Sequence, residues 1–220
     1  MNRLRHAPLT CILILINTAF FLAEELYEHF YSSSLVPEMA LTKSGLIGGD
    51  WWQLISYAFL HGNMLHLGVN MVALLFTGPV MEELLGGACY LSLFFGGAIA
   101  GGLLQTLASH NDVPLIGASA GICALLVGFA TLLPRLQITA LIFFIIPVKM
   151  KAATLGWLVI IGSLFCWYFT PFLYLHFGVG QGIGHLAHLG GGIEGFLLCR
   201  VFISCRLIRP LEFVTPTVPE

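Results

Sequence analysis

Six long apolar stretches are the feature of this sequence that most limits what it can fold into. Each approaches the roughly 20 apolar residues that a helix needs to cross a hydrocarbon core of about 30 Å. Charged residues make up 9% of the chain and hydrophobic residues 58%, whereas a soluble domain has about 25% charged residues. The sequence therefore predicts an all-α membrane protein with six transmembrane helices, at residues 8–26, 62–81, 88–108, 115–134, 152–172 and 184–203.

The composition also excludes other classes of protein. A disordered chain would be far less apolar, and a nucleic-acid binder would carry a basic excess, whereas the formal net charge here is −2. The six cysteines fall singly in apolar stretches with no CxxC pair, which is typical of small core side chains. We therefore expect the lipid bilayer as surroundings, and neither nucleic acid nor a metal ion as a partner.

The basic residues predict the orientation of the helices. With the N-terminus in the cytoplasm, only Lys43 of the 9 Lys and Arg residues falls outside, which favours six spans with both termini cytoplasmic. The apolar run 136–147 is about a dozen residues long, too short for an ordinary span, and we interpret it as an interfacial or re-entrant connector. A seventh span is the alternative. The basic residues predicted to be cytoplasmic are Arg3, Arg5, Arg135, Lys149, Lys151, Arg200, Arg206 and Arg209.

The same pattern divides the chain into three parts. Residues 1–7 are predicted to be a cytoplasmic tail, 8–203 the helical domain and 204–220 a second cytoplasmic tail. The first stretch lacks a small-residue cleavage site, so we expect it to be retained rather than removed as a signal peptide. The loop 27–61 is then external, and its aromatic residues are expected at the level of the lipid headgroups, either in a half-embedded element or in a plain aromatic belt: Trp51, Trp52, Tyr57 and Phe59.

Polar residues inside three of the apolar stretches point to a functional site, because such groups are costly in a bilayer. Segments two, four and six all run from outside to inside, so residues near their starts share one depth. At 1.5 Å per residue, Ser119 lies about 24 Å above Arg135, and His66 lies about 24 Å above Glu82. His188 lies about 18 Å above Arg200, the basic residue near the inner end of the same segment. All three side chains are therefore expected in the outer half of the membrane.

These residue types at one depth suit acyl transfer. A serine needs an adjacent base, usually a histidine, and the developing oxyanion needs hydrogen-bond donors. We predict Ser119 and His188 as a nucleophile–base dyad, with donors from His66, Asn70 and the Ser119 backbone N–H. His185 is the competing base; the stripe of small residues at Gly184, Gly191 and Gly195 favours His188, because it allows close approach of a neighbouring helix. Glu194 lies too far along the helix to orient His188, and we expect it to pair with another polar group in the bundle.

These motifs also allow other interpretations. The run Gly117-Ala-Ser119-Ala-Gly121 matches the nucleophile elbow of α/β-hydrolases, but no Asp or Glu lies between Ser119 and His188. A small-residue packing motif with an incidental serine is the second alternative. Four histidines on two helices suggest haem ligation as the third, which would leave Ser119 and Asn70 unexplained. A metalloprotease is disfavoured because the sequence has no HExxH.

Taken together and in order, the motifs resemble the rhomboid family of intramembrane serine proteases. The matching residues are His61, His66, Asn70, Gly117, Ser119, Ala187, His188, Gly190, Gly191 and Gly195, with Glu82 at the family's structural glutamate. The resemblance implies a six-helix bundle in which Ser119 is the nucleophile and His188 the general base and acid. It implies an oxyanion hole from His66, Asn70 and the Ser119 backbone, a structural role for His61, transmembrane proteins as substrates, and no cofactor.

Three positions depart from the family's pattern. Gln53 stands where the family has an arginine after tryptophan, Ala120 follows the serine where glycine is usual, and Cys123 replaces an aromatic residue beside the histidine. None removes a catalytic group, so the expected function is an intramembrane serine endopeptidase. A non-catalytic rhomboid-like module that binds membrane proteins is the alternative. The compact chain suggests a multi-pass protein of a bacterial plasma membrane.

Overall fold

The computed structural model describes residues 7–109, 112–142, 146–177 and 184–208. They form long apolar helices, a loop of short helices and one small β-hairpin. The long helices are α1 (Pro8–Tyr31), α5 (Met64–Ala108), α6 (Ser119–Leu132), α7 (Ala152–Phe177) and α8 (His185–Ser204). Of these, α1, α5, α7 and α8 are long and apolar enough to cross a membrane, and α6 is a shorter apolar helix. Residues 1–6 and 209–220 of the two predicted tails lie outside the described residues.

Helix α5 consists of two arms that fold back on each other at Gly86. Gly86 has φ 71° and ψ 168°, a conformation open to glycine because it has no Cβ. Met81 and Leu93 both come close to Gly128 of α6, although residues twelve apart on a straight helix would be about 18 Å apart. The chain therefore reverses at Gly86, and the arms α5a (64–85) and α5b (87–108) correspond to the predicted segments 62–81 and 88–108.

Glycines bring α5b, α6 and α8 into backbone contact. A Cβ added at Gly191 of α8 would overlap the carbonyl oxygen of Ala120 on α6, and one at Gly195 would overlap that of Ala124. A Cβ added at Gly101 of α5b would overlap the Ala187 carbonyl oxygen of α8. The predicted small-residue stripe of α8 is thus the seam along which α8 packs, and α6 lies at the centre of the bundle.

The connector at 136–147 is a β-hairpin, so the all-α prediction was incomplete. Strands β1 (Gln137–Ile142) and β2 (Ile146–Lys151) pair antiparallel, with Gln137 opposite Lys151. The base of the hairpin is tied between α6 and α7, because Ala152 N–H donates to the Leu136 carbonyl at 2.9 Å. Its β-branched residues favour an extended chain, and Pro147 is tolerated in a two-stranded ribbon because every strand there is an edge strand.

The segment between α1 and α5 folds as short helices rather than as an open loop. It contains α2 (Val36–Met39), α3 (Lys43–Gly48), α4 (Gln53–Ser56) and a 3-10 turn at Tyr57–Phe59. Its aromatic residues divide into two groups: Trp51 and Trp52 are more than half exposed, whereas Tyr57 is fully buried and donates its hydroxyl proton to the Ala98 carbonyl of α5b at 2.7 Å. The segment is therefore anchored on the helices rather than lying loosely on them.

Candidate active site

Ser119 is the first residue of α6, and a glycine turn places it there. Gly117 has φ 117°, and its N–H donates to the Tyr57 carbonyl at 2.9 Å. On a continuous helix Ser119 would face away from the packing stripe that includes Gly121 and Gly128. The helix begins only at Ser119, so Gly117 lies outside it, and the backbone contact of α6 with α8 runs through Ala120 and Ala124 rather than through that stripe. The Ser119 N–H belongs to the first turn, where amide groups have no intrahelical acceptor.

The structure brings Ser119 and His188 into hydrogen-bond contact. His188 lies in the first turn of α8, and its Nε2 is 2.7 Å from Ser119 Oγ. The Gly191–Ala120 contact lies next to this pair, because Gly191 is one turn after His188 and Ala120 directly follows Ser119. The His185 ring lies to the side, with its centroid 6.3 Å from that of His188. Of the two candidate bases, His188 is the one whose ring nitrogen reaches the serine.

His66 and Asn70 lie one turn apart on α5a and converge on the turn before Ser119. A Cβ added at Gly117 would be 2.8 Å from His66 Nε2 and 3.8 Å from Asn70 Nδ2. Asn70 is 4% exposed, and its Nδ2 has no hydrogen-bond partner among the residues that the structure describes. A buried donor without a partner is costly, so this amide is available for an acceptor placed beside Ser119.

His61 contacts the candidate site through His66. It is buried just before α5, and the two rings meet edge to face with centroids 5.0 Å apart. Burial lowers the pKa of His61 to about 4, so its ring is neutral at pH 7 and places no charge beside His66. The structural role predicted for His61 corresponds here to ring packing; the predicted hydrogen bonding stays a prediction.

Gln105 of α5b is a residue of the site that the sequence interpretation missed. Its Oε1 accepts from Leu186 N–H at 3.1 Å and from Ala187 N–H at 3.3 Å. These amides belong to the first turn of α8 and would otherwise lack acceptors. Gln105 therefore caps the helix turn that carries His188. A polar side chain in an apolar stretch was the signal that could have identified it.

The irregular chain before Ser119 is tied to the segment between α1 and α5. Leu41 and Leu115 form an antiparallel bridge with N–H to carbonyl distances of 3.0 and 2.9 Å. Asp112 accepts from Lys43 N–H at 2.7 Å and from Ser44 N–H at 3.3 Å. The hydrogen bond with Ser44 lowers the pKa of the Asp112 carboxyl below its ordinary value. These contacts fix the chain that leads into the Gly117 turn.

Gln53, one of the departures from the family's pattern, anchors the same segment. It is 2% exposed, and its Oε1 accepts from Thr42 N–H at 3.1 Å and from the Thr42 hydroxyl at 3.3 Å. An uncharged amide thus binds the loop at the position where the family's pattern has an arginine.

Cys123 is half-buried one turn after Ser119. No group of three metal-binding side chains occurs within the described ranges.

Glu82 and Glu194 both lie outside the cluster around Ser119. Glu82 caps the start of α1, accepting from Leu9 N–H at 2.9 Å, Thr10 N–H at 2.8 Å and the Thr10 hydroxyl at 2.8 Å. This arrangement holds α1 to the end of α5a.

Glu194 was expected to pair with a polar group in the bundle, but no described residue does so. Its Oε2 is buried without a partner among the described residues, and its carboxyl packs against Gly96 and Gly97. The two glycines leave the room that this carboxyl occupies.

Comparisons with known proteins agree with the motifs. The family model described as Rhomboid domain matches residues 48–205. RHOMBOID-like protein 4 of Arabidopsis thaliana is 36% identical over 167 residues, which cover 74% of this chain and 36% of that protein. Rhomboid protein 1, mitochondrial, of Saccharomyces cerevisiae is 33% identical over 149 residues, covering 66% of this chain and 40% of that protein. Putative rhomboid protease YdcA of Bacillus subtilis is 32% identical over 81 residues, covering 37% and 41%. The chain thus spans about two fifths of the length of each relative.

Proposed function

We propose, on the premise that this chain belongs to the rhomboid family, that it is an intramembrane serine endopeptidase. This integral membrane protein would hydrolyse peptide bonds in or near the transmembrane segments of other membrane proteins. The observation that carries the proposal is the 2.7 Å contact between His188 Nε2 and Ser119 Oγ. A serine becomes a useful nucleophile when a base within hydrogen-bond reach removes its proton. Relatives named as proteases support the same conclusion.

The proposed reaction follows from this pair. Ser119 Oγ attacks the carbonyl carbon of the scissile bond while its proton passes to His188 Nε2. The tetrahedral intermediate collapses, and His188 gives that proton to the leaving amine, which departs and leaves an acyl group on Ser119. A water molecule then attacks the ester and loses a proton to His188. The second tetrahedral intermediate collapses, His188 returns the proton to Ser119 Oγ, and the carboxylic acid product leaves. Among the described residues none is seen to orient the histidine, since Glu194 packs against Gly96 and Gly97, which supports a dyad rather than a triad.

The oxyanion of each intermediate would be held beside the Gly117 turn. His66 Nε2 and Asn70 Nδ2 both approach that turn, and the Ser119 N–H opens the helix that follows it. Asn70 Nδ2 lacks a partner within the described ranges, as expected of a donor reserved for a charge that appears only during the reaction. Each such donor is worth about 10²–10³ in kcat. His61 would contribute by packing against His66.

The predicted topology of six spans with both termini cytoplasmic is part of the proposal. It is supported by the reversal at Gly86, which divides α5 into two arms of 22 residues each, about 33 Å long. With α1, α6, α7 and α8, these arms make six apolar rods. Ser119 and His188 then lie toward the outer side, since α6 and α8 both run from them toward basic residues. The named relatives are a plant protein, a yeast protein described as mitochondrial and a bacterial protein. They therefore do not favour the bacterial plasma membrane expected from the sequence.

A non-catalytic module that binds membrane proteins is the second candidate. Such a module needs neither an activated serine nor an oxyanion site, so the short Ser119–His188 contact would serve no purpose in it. The two functions differ in one measurable property, which is turnover of a bound membrane protein.

The test compares matched serine and histidine variants in lipid vesicles. Purified wild-type protein, Ser119→Ala and His188→Ala are incubated with a labelled single-span substrate. Ser163→Ala and His185→Ala serve as controls, because Ser163 bonds only the Val159 carbonyl of its own helix and His185 lies to the side of the pair. We expect loss of cleavage in the first two variants and near wild-type cleavage in the controls. Equal cleavage by Ser119→Ala, or attachment of a mechanism-based serine reagent to another residue, would overturn the proposal.

A further inference from the structure

A groove opens between α6, α7 and α8 at the end of the bundle away from Ser119. It has a volume of about 370 Å³. Its deep end is lined by Val127, Ile160 and Ile193, and its mouth by Pro134, Ala153 and Arg200. Seven residues separate the deep end from the mouth on each of the three sides, so the groove is about 10 Å long. That is about two thirds of the hydrocarbon depth of one leaflet, which is about 15 Å.

The groove is apolar inside and basic at its mouth. Arg200 is the only ionisable residue among those that line it. Of the other lining residues, Trp157 has an indole N–H, and Thr131 already donates to the Val127 carbonyl at 2.8 Å. Further basic residues lie beside the mouth in sequence: Arg135 follows Pro134, and Lys151 precedes α7 by one residue. Both are exposed. By the distribution of Lys and Arg, this end of the bundle faces the cytoplasmic leaflet.

The lining decides what kind of molecule suits the groove. Its side chains are almost all apolar apart from Arg200, and the groove is narrow and runs along the helices, as an extended hydrocarbon chain would. The cation at the mouth requires an anionic group at the level of the membrane surface. Basic pockets between helices on this side of a membrane bind anionic lipid headgroups.

We propose that this groove is a binding site for one anionic phospholipid of the cytoplasmic leaflet. One acyl chain lies between α7 and the α6–α8 pair, with its end against Val127, Ile160 and Ile193. The phosphate accepts hydrogen bonds from the Arg200 guanidinium, a charge-assisted contact. The bound chain passes the point where Gly156 of α7 packs on Ala130 of α6, on the side that faces α8. The site is separate from Ser119 and does not depend on the proposed protease activity.

The test measures lipid contact directly. Wild-type protein is placed in vesicles of phosphatidylcholine that contain a trace of spin-labelled phosphatidylglycerol or spin-labelled phosphatidylcholine, in about 1 M salt, where diffuse attraction is screened beyond about 3 Å. Electron spin resonance reports the fraction of label immobilised by the protein. We expect a preference for phosphatidylglycerol that falls about tenfold in Arg200→Gln. Arg206→Gln is the matched control, because Arg206 lies past the end of α8 and does not line the groove.

A second variant tests the apolar part of the site. Ala153→Phe narrows the mouth without changing charge, and we expect it to abolish the immobilised fraction of phosphatidylglycerol at an unchanged unfolding midpoint. If that variant fails to fold, the Arg200 and Arg206 comparison decides alone. Equal immobilisation of the two lipids, or an equal loss in Arg206→Gln, would overturn the proposal. Displacement of the labelled lipid by a transmembrane substrate peptide would also overturn it, since the groove would then accept a protein segment.

Discussion

The replacement Gly191→Ala tests whether backbone contact between α6 and α8 sets the Ser119–His188 distance. The added methyl group would lie 2.8 Å from the Ala120 carbonyl carbon and closer still to its oxygen, whereas ordinary contact begins at 3.4 Å. Neither neighbour is a flexible side chain that can move aside. The helices must therefore separate by at least about 0.6 Å to clear the carbon, and by somewhat more than 1 Å to clear the oxygen.

The separation acts almost directly on the reacting pair. His188 is one turn before Gly191, and Ala120 follows Ser119, so a shift of α8 lengthens the 2.7 Å contact by a similar amount. A misplacement of about 1 Å costs about 10²-fold in rate, and overpacking costs about 1–3 kcal/mol in stability. Alanine favours a helix over glycine by about 1 kcal/mol, so any loss comes from the contact rather than from helix propensity.

The assay combines cleavage of a labelled single-span substrate, the rate at which a mechanism-based reagent labels Ser119, and the thermal unfolding midpoint. Gly162→Ala in α7 is the matched control, because a Cβ at that helical glycine meets nothing within 4 Å. We expect kcat and labelling to fall about 10²-fold in Gly191→Ala and to stay unchanged in Gly162→Ala. A folded Gly191→Ala protein that cleaves and labels at the wild-type rate would refute the claim that this seam positions the dyad.

Three further changes have outcomes that follow from single contacts. Glu82→Gln removes the charged acceptor for the start of α1, and we expect a loss of about 2–3 kcal/mol in thermal unfolding; a loss as large in Glu83→Gln would contradict the capping role. Gln105→Leu leaves two amides of α8 without an acceptor, so kcat should fall with KM unchanged, while Gln105→Glu, which keeps the acceptor, should retain most activity. The pKa of the Asp112 carboxyl is lowered in the folded protein. The contribution of this carboxylate to folding stability is therefore present above the ordinary carboxyl pKa and is lost as the pH falls through the folded value. We therefore expect faster hydrogen exchange at Lys43 and Ser44 in Asp112→Asn at neutral pH, and a wild-type rate there would refute it.

Much of the helical framework was predictable, because lipid-facing helices must be apolar along most of their length. The last stretch was placed at 184–203, and α8 runs from His185 to Ser204. The first stretch ended at 26, where Glu24, Glu25 and Glu28 interrupt the apolar run, yet α1 continues to Tyr31. Hydropathy reports where a helix leaves the lipid, whereas the helix itself ends only at Ser32, which adopts the left-handed conformation.

The proximity of the candidate site residues was predictable from their shared depth, whereas their chemical roles stay predictions. Ser119, His188, His66 and Asn70 meet because three helices run in the same direction and carry them near their first turns. Gln105 could not be assigned a role from the sequence, since its value lies in a contact with amides 81 and 82 residues away. The same holds for the tie between Asp112 and α3, which joins residues 68 and 69 apart. A single sequence shows which side chains are unusual, but not which distant backbone groups they satisfy.

The hairpin of β1 and β2 escaped prediction for another reason. An apolar run of about a dozen residues fits a short helix, a re-entrant segment or two paired strands equally well by hydropathy. The choice depends on local pairing, here Gln137 opposite Lys151 and Ile142 opposite Ile146. Most residues of this run are apolar, so the sequence lacks the alternation of apolar and polar side chains that marks a strand.

The shortness of α6 has a consequence for the polypeptide that precedes it. Its 14 residues rise about 21 Å, which leaves it about 9 Å short of an average hydrocarbon core. Because α6 lies at the centre of the bundle, the missing length is taken up by non-helical chain, including the Gly117 turn, rather than by lipid. Such backbone is tolerated at membrane depth only where protein or a water-filled cavity surrounds it, and here the Leu41–Leu115 bridge supplies part of that protein cover.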